Sequence, residues 1–168
     1  MNGAEIHMLF NHLPVIGFVG LVPALAVALV LKSVDIKRFV LLATVVVGAS
    51  AMAAGSTGDG AEDVAKHLPG VTKAKIHAHE EMADKATPLA LLTAAAAGAV
   101  FFLQRKRPGT LNSGLAGVLV LSIASAVVMG VTAHEGGKIR HPEIDAAAAN
   151  GAGQAATAAP KSADDDHD

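Results

Sequence analysis

The sequence TKAKIHAHEEMADKATPLALLTAAAAGAVFFLQ, residues 72–104, decides the fold. Its first half is charged and its second half is apolar, and nothing between Lys73 and Thr87 interrupts a helix. Thr72 is suited to cap the start of that helix. Pro88 removes one backbone donor and favours a bend inside the helix. We therefore predict one long helix over residues 73–104 whose second half lies in a membrane.

Three further apolar segments, Leu13–Leu31, Ile36–Ala54 and Leu111–Ala133, accompany this helix, and 52% of all residues are hydrophobic. A hydrocarbon core about 30 Å thick requires roughly 20 apolar residues per helix. The prediction is an all-α integral membrane four-helix bundle in residues 1–145, with helices at about 8–31, 36–55, 73–104 and 111–134. The consecutive glycines Gly136 and Gly137 are expected to end the fourth helix. A hairpin with a short helix at Gly60–His67 and a turn at Pro69–Gly70 is expected between the second and third helices. Residues 146–168 have the composition of a disordered acidic tail.

The charges of the short loops predict the orientation. The loops at residues 32–38 and 104–109 hold six of the thirteen Lys and Arg residues and only one of the fifteen Asp and Glu residues. By the positive-inside rule both loops face the cytoplasm, so both termini and the hairpin are extracytoplasmic. The N-terminus has no basic region, which favours a retained helix over a signal peptide. The expected location is the bacterial inner (plasma) membrane.

Seven of the eight histidines fall on the predicted outer side, and the chain has no cysteine. Thiolate metal sites and covalently attached haem are thereby excluded. Counting about 1.5 Å per residue from the inner helix ends places His12, His134 and His79 about 30–37 Å high. Three helices thus bring one histidine each to nearly the same depth.

Helical spacing indicates which face of the long helix points inward. Ile76, His79, Ala83, Ala86, Ala90, Thr93 and Ala97 share one face, whereas His77 does not. The small residues below His79 suggest a slot for the edge of a flat cofactor. Glu80 borders this face and is a candidate acceptor to orient the imidazole.

Two interpretations of these histidines remain open. In the first, His12, His79 and His134 are ligands with His141 as a fourth. Two imidazoles would bind b-type haem, and three would bind zinc or copper. In the second, the histidines only cap and hydrogen-bond the helix ends. His7 is expected at a frayed N-terminus and outside the site.

Three separated motifs carry a resemblance to a known family: HLPVIG at His12–Gly17, HLPGVTKAKIHAHEEMA at His67–Ala83 and GGKIRHPEI at Gly136–Ile144. Together they resemble a family of uncharacterised four-helix bacterial membrane proteins, over Ala4 to about Asp145. That family is distantly similar to the b-type membrane cytochrome superfamily. The resemblance marks His12, His79, Glu80, His134, Gly136, Gly137, Arg140, His141 and Glu143. It does not mark His7 or His77. Glu80, Arg140 and Glu143 are the candidate residues that would support the ligands.

The leading functional expectation is a haem- or metal-binding redox or accessory protein with an extracytoplasmic site. Its partners would be the lipid bilayer and either a larger membrane complex or a periplasmic redox partner. Because no histidine lies in the inner half of any segment, an electron path across the membrane is not expected. The alternative is a cofactor-free structural or interaction protein. A transporter is less favoured because the membrane interior holds no charged residue and no pair of broken helices. Hydrolytic motifs are absent from the sequence, and nucleic-acid binding is disfavoured.

Overall fold

The structure, a computed structural model, describes residues 1–141 and 143. This part of the chain is helical and contains no strand. Its α-helices are α1 (Gly3–Val30), α2 (Val34–Ser56), α3 (Gly58–Ala65), α4 (Lys73–Leu103) and α5 (Leu111–Arg140), with a 3₁₀ turn at Pro108–Thr110 before α5. The predicted acidic tail, residues 146–168, lies outside the described residues.

Four of these helices, α1, α2, α4 and α5, are long and apolar enough to cross a membrane, which confirms the expectation of a multi-pass helical membrane protein. They pack in a ring, with α1 against α2, α2 against α4, α4 against α5, and α5 against α1. The two other pairs, α1 with α4 and α2 with α5, therefore face each other across the bundle. Large apolar side chains such as Ile16, Val46 and Val127 are exposed on the outside, where lipid would cover them.

Helix α4 agrees closely with the predicted helix. It is uninterrupted from Lys73 to Leu103, and the Thr72 side chain accepts a hydrogen bond from the Lys75 backbone N–H. The predicted inner face is also confirmed, because Ile76, Ala86, Ala90, Thr93 and Ala97 are all buried.

The expected slot beneath His79 is absent because α2 fills it. A Cβ placed on Gly48 of α2 would lie 2.6 Å from the Ala90 carbonyl oxygen and 2.7 Å from the Ala94 Cβ. From α5, the Ser125 hydroxyl meets the Thr93 hydroxyl at 2.9 Å. The small residues of α4 therefore serve close helix packing, as small residues commonly do between membrane helices.

Helix α1 begins five residues before the predicted start at residue 8. The Asn2 side chain accepts a hydrogen bond from the Glu5 N–H, and the Glu5 carboxylate accepts one from the Asn2 N–H. This reciprocal capping box satisfies backbone donors that would otherwise be free. The expectation that His7 belongs to a frayed terminus is therefore wrong.

Helix α5 continues six residues past the predicted end at residue 134. Gly136 and Gly137 were expected to end it, yet the helix runs through both to Arg140. The last turn is held by Lys138, whose ammonium pairs with Glu135 at 2.8 Å. From α4, the Lys75 ammonium donates to the Lys138 carbonyl at 3.1 Å.

The short helix α3 starts two residues before the predicted Gly60, and its N-cap is Thr57, whose side chain makes no capping bond. It packs against the first turn of α1. There a Cβ on Gly3 would overlap the Gly60 carbonyl oxygen, so the two backbones touch directly. Gly70, with φ of 78°, turns the chain toward α4 as predicted.

The two ends of the bundle differ in their polar residues. We call the end with the N-terminus, α3, the start of α4 and the end of α5 the histidine end. The opposite end, with the α1–α2 and α4–α5 turns, holds Lys32, Lys37, Arg38 and residues 105–107, and we call it the basic end.

Candidate metal site at the histidine end

The His7 imidazole joins α1 to the end of α2. Its Nδ1 lies 3.1 Å from the Ala54 carbonyl oxygen and 2.9 Å from the Thr57 hydroxyl. The Thr57 hydroxyl donates its own proton to the same Ala54 carbonyl at 2.7 Å. Both oxygens therefore act as acceptors toward the ring, which places the imidazole proton on Nδ1.

The His79 imidazole joins α4 to α5 in the same way. Its Nδ1 lies 2.9 Å from the Thr132 carbonyl oxygen, so Nδ1 again carries the proton. The ring rests on Gly136, where a Cβ would lie 3.1 Å from both Cε1 and Nδ1 of the imidazole. The glycine that was predicted to end α5 instead provides the space for His79.

The two rings meet across the bundle, since α1 and α4 are opposite helices. Their centroids are 6.2 Å apart and their planes are nearly perpendicular, at 88°. In the described part of the chain neither Nε2 atom has a hydrogen-bond partner. An imidazole whose Nδ1–H donates to a backbone carbonyl presents its Nε2 lone pair as a metal ligand.

The predicted convergence of His12, His79 and His134 is not found. His12 is exposed and hydrogen-bonds the Met8 carbonyl of its own helix, and His134 is also exposed. Within residues 1–141 and 143, no group of three or more His, Cys, Asp or Glu side chains could hold a metal ion. The estimate from helix rise gave the height of each histidine in the membrane. It did not show whether the side chain faces the inside or the outside of the bundle.

The predicted supporting residues also lie elsewhere. Glu80 is 3.8 Å from His77 rather than bound to His79, whose Nδ1 uses the Thr132 carbonyl. Arg140 lines a cleft of about 310 Å³ beside Leu68, Pro69 and Gly70 of the α3–α4 turn.

His141 and Glu143 form an exposed pair beyond the end of α5, with Nδ1 and Oε1 2.9 Å apart. The pKa of the Glu143 carboxyl is lowered, first by its own backbone N–H and then by the His141 side chain. A ligand role for His141 stays a prediction.

The packing around His79 fits a single ion better than a haem. Two surface clefts, of about 310 and 390 Å³, are lined by other residues than His7 and His79. Close contact between α2 and α4 closes the volume below His79. His7 and His79 would hold a zinc or copper ion, since two imidazoles that share one ion have ring centroids about 5–6 Å apart, given metal–nitrogen bonds of about 2 Å. The observed separation is of that size.

The spacing of buried residues in α1 could have identified His7. The buried positions of this helix are Pro14, Phe18, Leu21, Leu25 and Ala28, which repeat at intervals of three and four. One heptad before Pro14 is His7, whereas His12 lies off this face. In α5 the buried positions end at Met129 and Thr132, and the next step of four is Gly136 rather than His134.

Comparison with known proteins gives no relative. No protein-family model matches the chain, and neither a curated protein nor a solved structure is similar to it. The resemblance to the four-helix family therefore remains an expectation that depends on three motifs.

Proposed function

We propose that this protein binds one transition-metal ion, zinc or copper, between His7 and His79, and acts as a redox or metal-handling accessory protein of a bacterial plasma membrane. One observation carries the proposal. Two partly buried imidazoles from opposite helices meet, and each has its Nδ1–H bound to oxygen, which leaves both Nε2 lone pairs available. Imidazole nitrogen is a good ligand for both ions.

The proposed orientation follows from charge. The basic end would face the cytoplasm, as basic loops between membrane helices do. The histidine end and the metal ion would then be accessible from outside the cytoplasm. A two-imidazole site leaves coordination positions for water or for a group supplied by a partner, which suits a protein that receives and passes on an ion or an electron.

The test is metal binding by the purified full chain in detergent, measured by titration with Zn²⁺ and with Cu²⁺. His79→Gln is the most informative variant, because an amide can still donate to the Thr132 carbonyl but offers no imidazole lone pair. His12→Ala and His134→Ala are matched controls at exposed histidines. We expect His79→Gln and His7→Gln to abolish binding and both controls to retain it.

The opposite pattern would contradict the His7–His79 site. If His12→Ala and His134→Ala abolish binding, the three-helix site expected from depth is the correct one. An absorption band that sharpens on reduction with dithionite would instead establish b-type haem.

A cofactor-free structural role is the second candidate, and it is favoured by the same hydrogen bonds. His7 links α1 to α2 and His79 links α4 to α5, so the pair connects all four long helices without any metal. If the wild-type chain binds neither ion, and His79→Ala unfolds more easily than His79→Gln, this role replaces the first.

A further inference from the structure

We propose that the basic end binds a phosphate group, carried by an anionic phospholipid of the adjacent leaflet, through Lys37, Arg38 and Gln104. No part of this proposal depends on the metal site. It begins with a charged side chain and two hydrogen-bond donors for which residues 1–141 and 143 provide neither a counter-ion nor an acceptor.

Lys37 is the charged side chain. It lies in the first turn of α2 and is only 6% exposed. Its ammonium donates to the Asn112 side-chain oxygen of α5 at 2.6 Å, so the lysine reaches across the bundle. No carboxylate among the described residues pairs with it. A cation removed from water without an anionic partner is costly, and a bound anion would offset that cost.

Gln104 and Arg38 supply the two donors. Gln104 follows the last residue of α4 and is 4% exposed, and its side-chain Nε2 finds no hydrogen-bond partner in the part of the chain that the structure describes. The Arg38 Nε is likewise buried without a partner. The Nη1 of the same guanidinium is 3.7 Å from Asp35, whose side chain is 93% exposed, so that pair is weak.

The helix register brings these groups to one level. A Cβ on Gly98 of α4 would lie 3.8 Å from the Val45 side chain of α2. The two helices are neighbours that run in opposite directions. Gln104 lies six residues after Gly98 in α4, so it is level with the residue six positions before Val45 in α2. That position is Phe39, next to Arg38 and within one turn of Lys37.

The helix termini add to the positive potential. Both α2 and α5 begin at the basic end, and helix N-termini attract anions. In α5 the N-cap residue Thr110 makes no side-chain capping bond. Basic groups between membrane helices at the headgroup level are suited to bind an anionic lipid.

The experiment is native mass spectrometry of the full chain from mixed micelles of phosphatidylglycerol and phosphatidylcholine. Wild-type protein is expected to retain phosphatidylglycerol selectively. Lys37→Met should weaken that retention at least about tenfold, as expected for a lost charge-assisted hydrogen bond. Lys106→Met makes the same charge change at an exposed position of the same end, and should weaken it at most about fivefold.

Gln104→Leu separates a defined site from diffuse attraction, because it leaves the net charge unchanged. It should weaken retention about threefold or more through the lost amide donor. This variant also keeps the test decisive if Lys37→Met fails to fold.

Inorganic phosphate is the second probe. Displacement of the lipid by inorganic phosphate would show that the site also accepts free phosphate, and failure to displace it would assign the site to the lipid. Both results keep a phosphate site. Equal effects of Lys37→Met and Lys106→Met, together with no effect of Gln104→Leu, would overturn the proposal, as would equal retention of the two lipids by wild type.

Discussion

Replacing Gly136 with alanine is the most direct perturbation of the histidine end. The new Cβ would lie 3.1 Å from two atoms of the His79 ring, closer than ordinary van der Waals contact. The ring cannot move away without stretching its bond to the Thr132 carbonyl, which is now 2.9 Å long. We therefore expect Gly136→Ala to displace His79 and to loosen α5 from α4.

The magnitude follows from three contributions. Overpacking costs about 1–3 kcal/mol, and a lost hydrogen bond costs about 0.5–1.5 kcal/mol. Alanine is favoured over glycine in a helix by about 0.5–1 kcal/mol. The sum is a loss of about 0.5–4 kcal/mol in the free energy of unfolding.

Gly130→Ala is the matched control on the same helix. Nothing lies within 4 Å of a Cβ at Gly130, so this variant should gain only the helix preference. The assay is unfolding of the detergent-solubilised chain by sodium dodecyl sulfate, followed by far-UV circular dichroism. Imidazole ¹⁵N chemical shifts would report the His79 hydrogen bond directly. If Gly136→Ala is as stable as Gly130→Ala and the His79 shifts are unchanged, the described contact between Gly136 and His79 is wrong.

Three further predictions test the packing. Gly48→Ala should cost about 1–3 kcal/mol in the same unfolding assay, because its Cβ would meet the α4 backbone at 2.6 Å; an unchanged midpoint would contradict that contact. Gly3→Ala should release α3 from α1 and speed proteolysis of residues 57–72, while leaving the unfolding of the four long helices nearly unchanged. Thr93→Val should cost about 0.6 kcal/mol and at most about 1.7 kcal/mol, the range for hydrogen bonds between membrane helices, because it removes the bond to Ser125; a cost above that range would indicate a larger polar network.

Helix α4 could be predicted from the sequence because it is charged in its first half and apolar in its second half. Its charged first half and small-residue face made both its limits and its inward direction readable, and the buried positions Ala86, Ala90 and Thr93 agree. Helix α1 is apolar on every side, because lipid and core both select apolar residues. Its inward face could therefore be read only from the weak three-four spacing, and the position of His7 was missed.

The two consecutive glycines of α5 show a second limit. Isolated in water, such a pair weakens a helix. In this bundle the His79 ring of α4 lies against the α5 backbone at Gly136, where a Cβ would be too close to the ring. The helix continues through this glycine. Whether a glycine interrupts a helix or permits close approach depends on its neighbour in space, which the sequence of one helix does not contain.

The two polar pairs that cross the bundle also prevent the helices from sliding along one another. His7 and His79 meet between α1 and α4 at one end, and Lys37 meets Asn112 between α2 and α5 at the other. An axial shift of one helical turn, about 5.4 Å, would also separate Gly48 from Ala90 and the Thr93 hydroxyl from the Ser125 hydroxyl. Such a shift would break a polar pair in a low-dielectric setting. Each pair of opposite helices, α1 with α4 and α2 with α5, is thus held at one relative height, and the bundle has a single axial alignment.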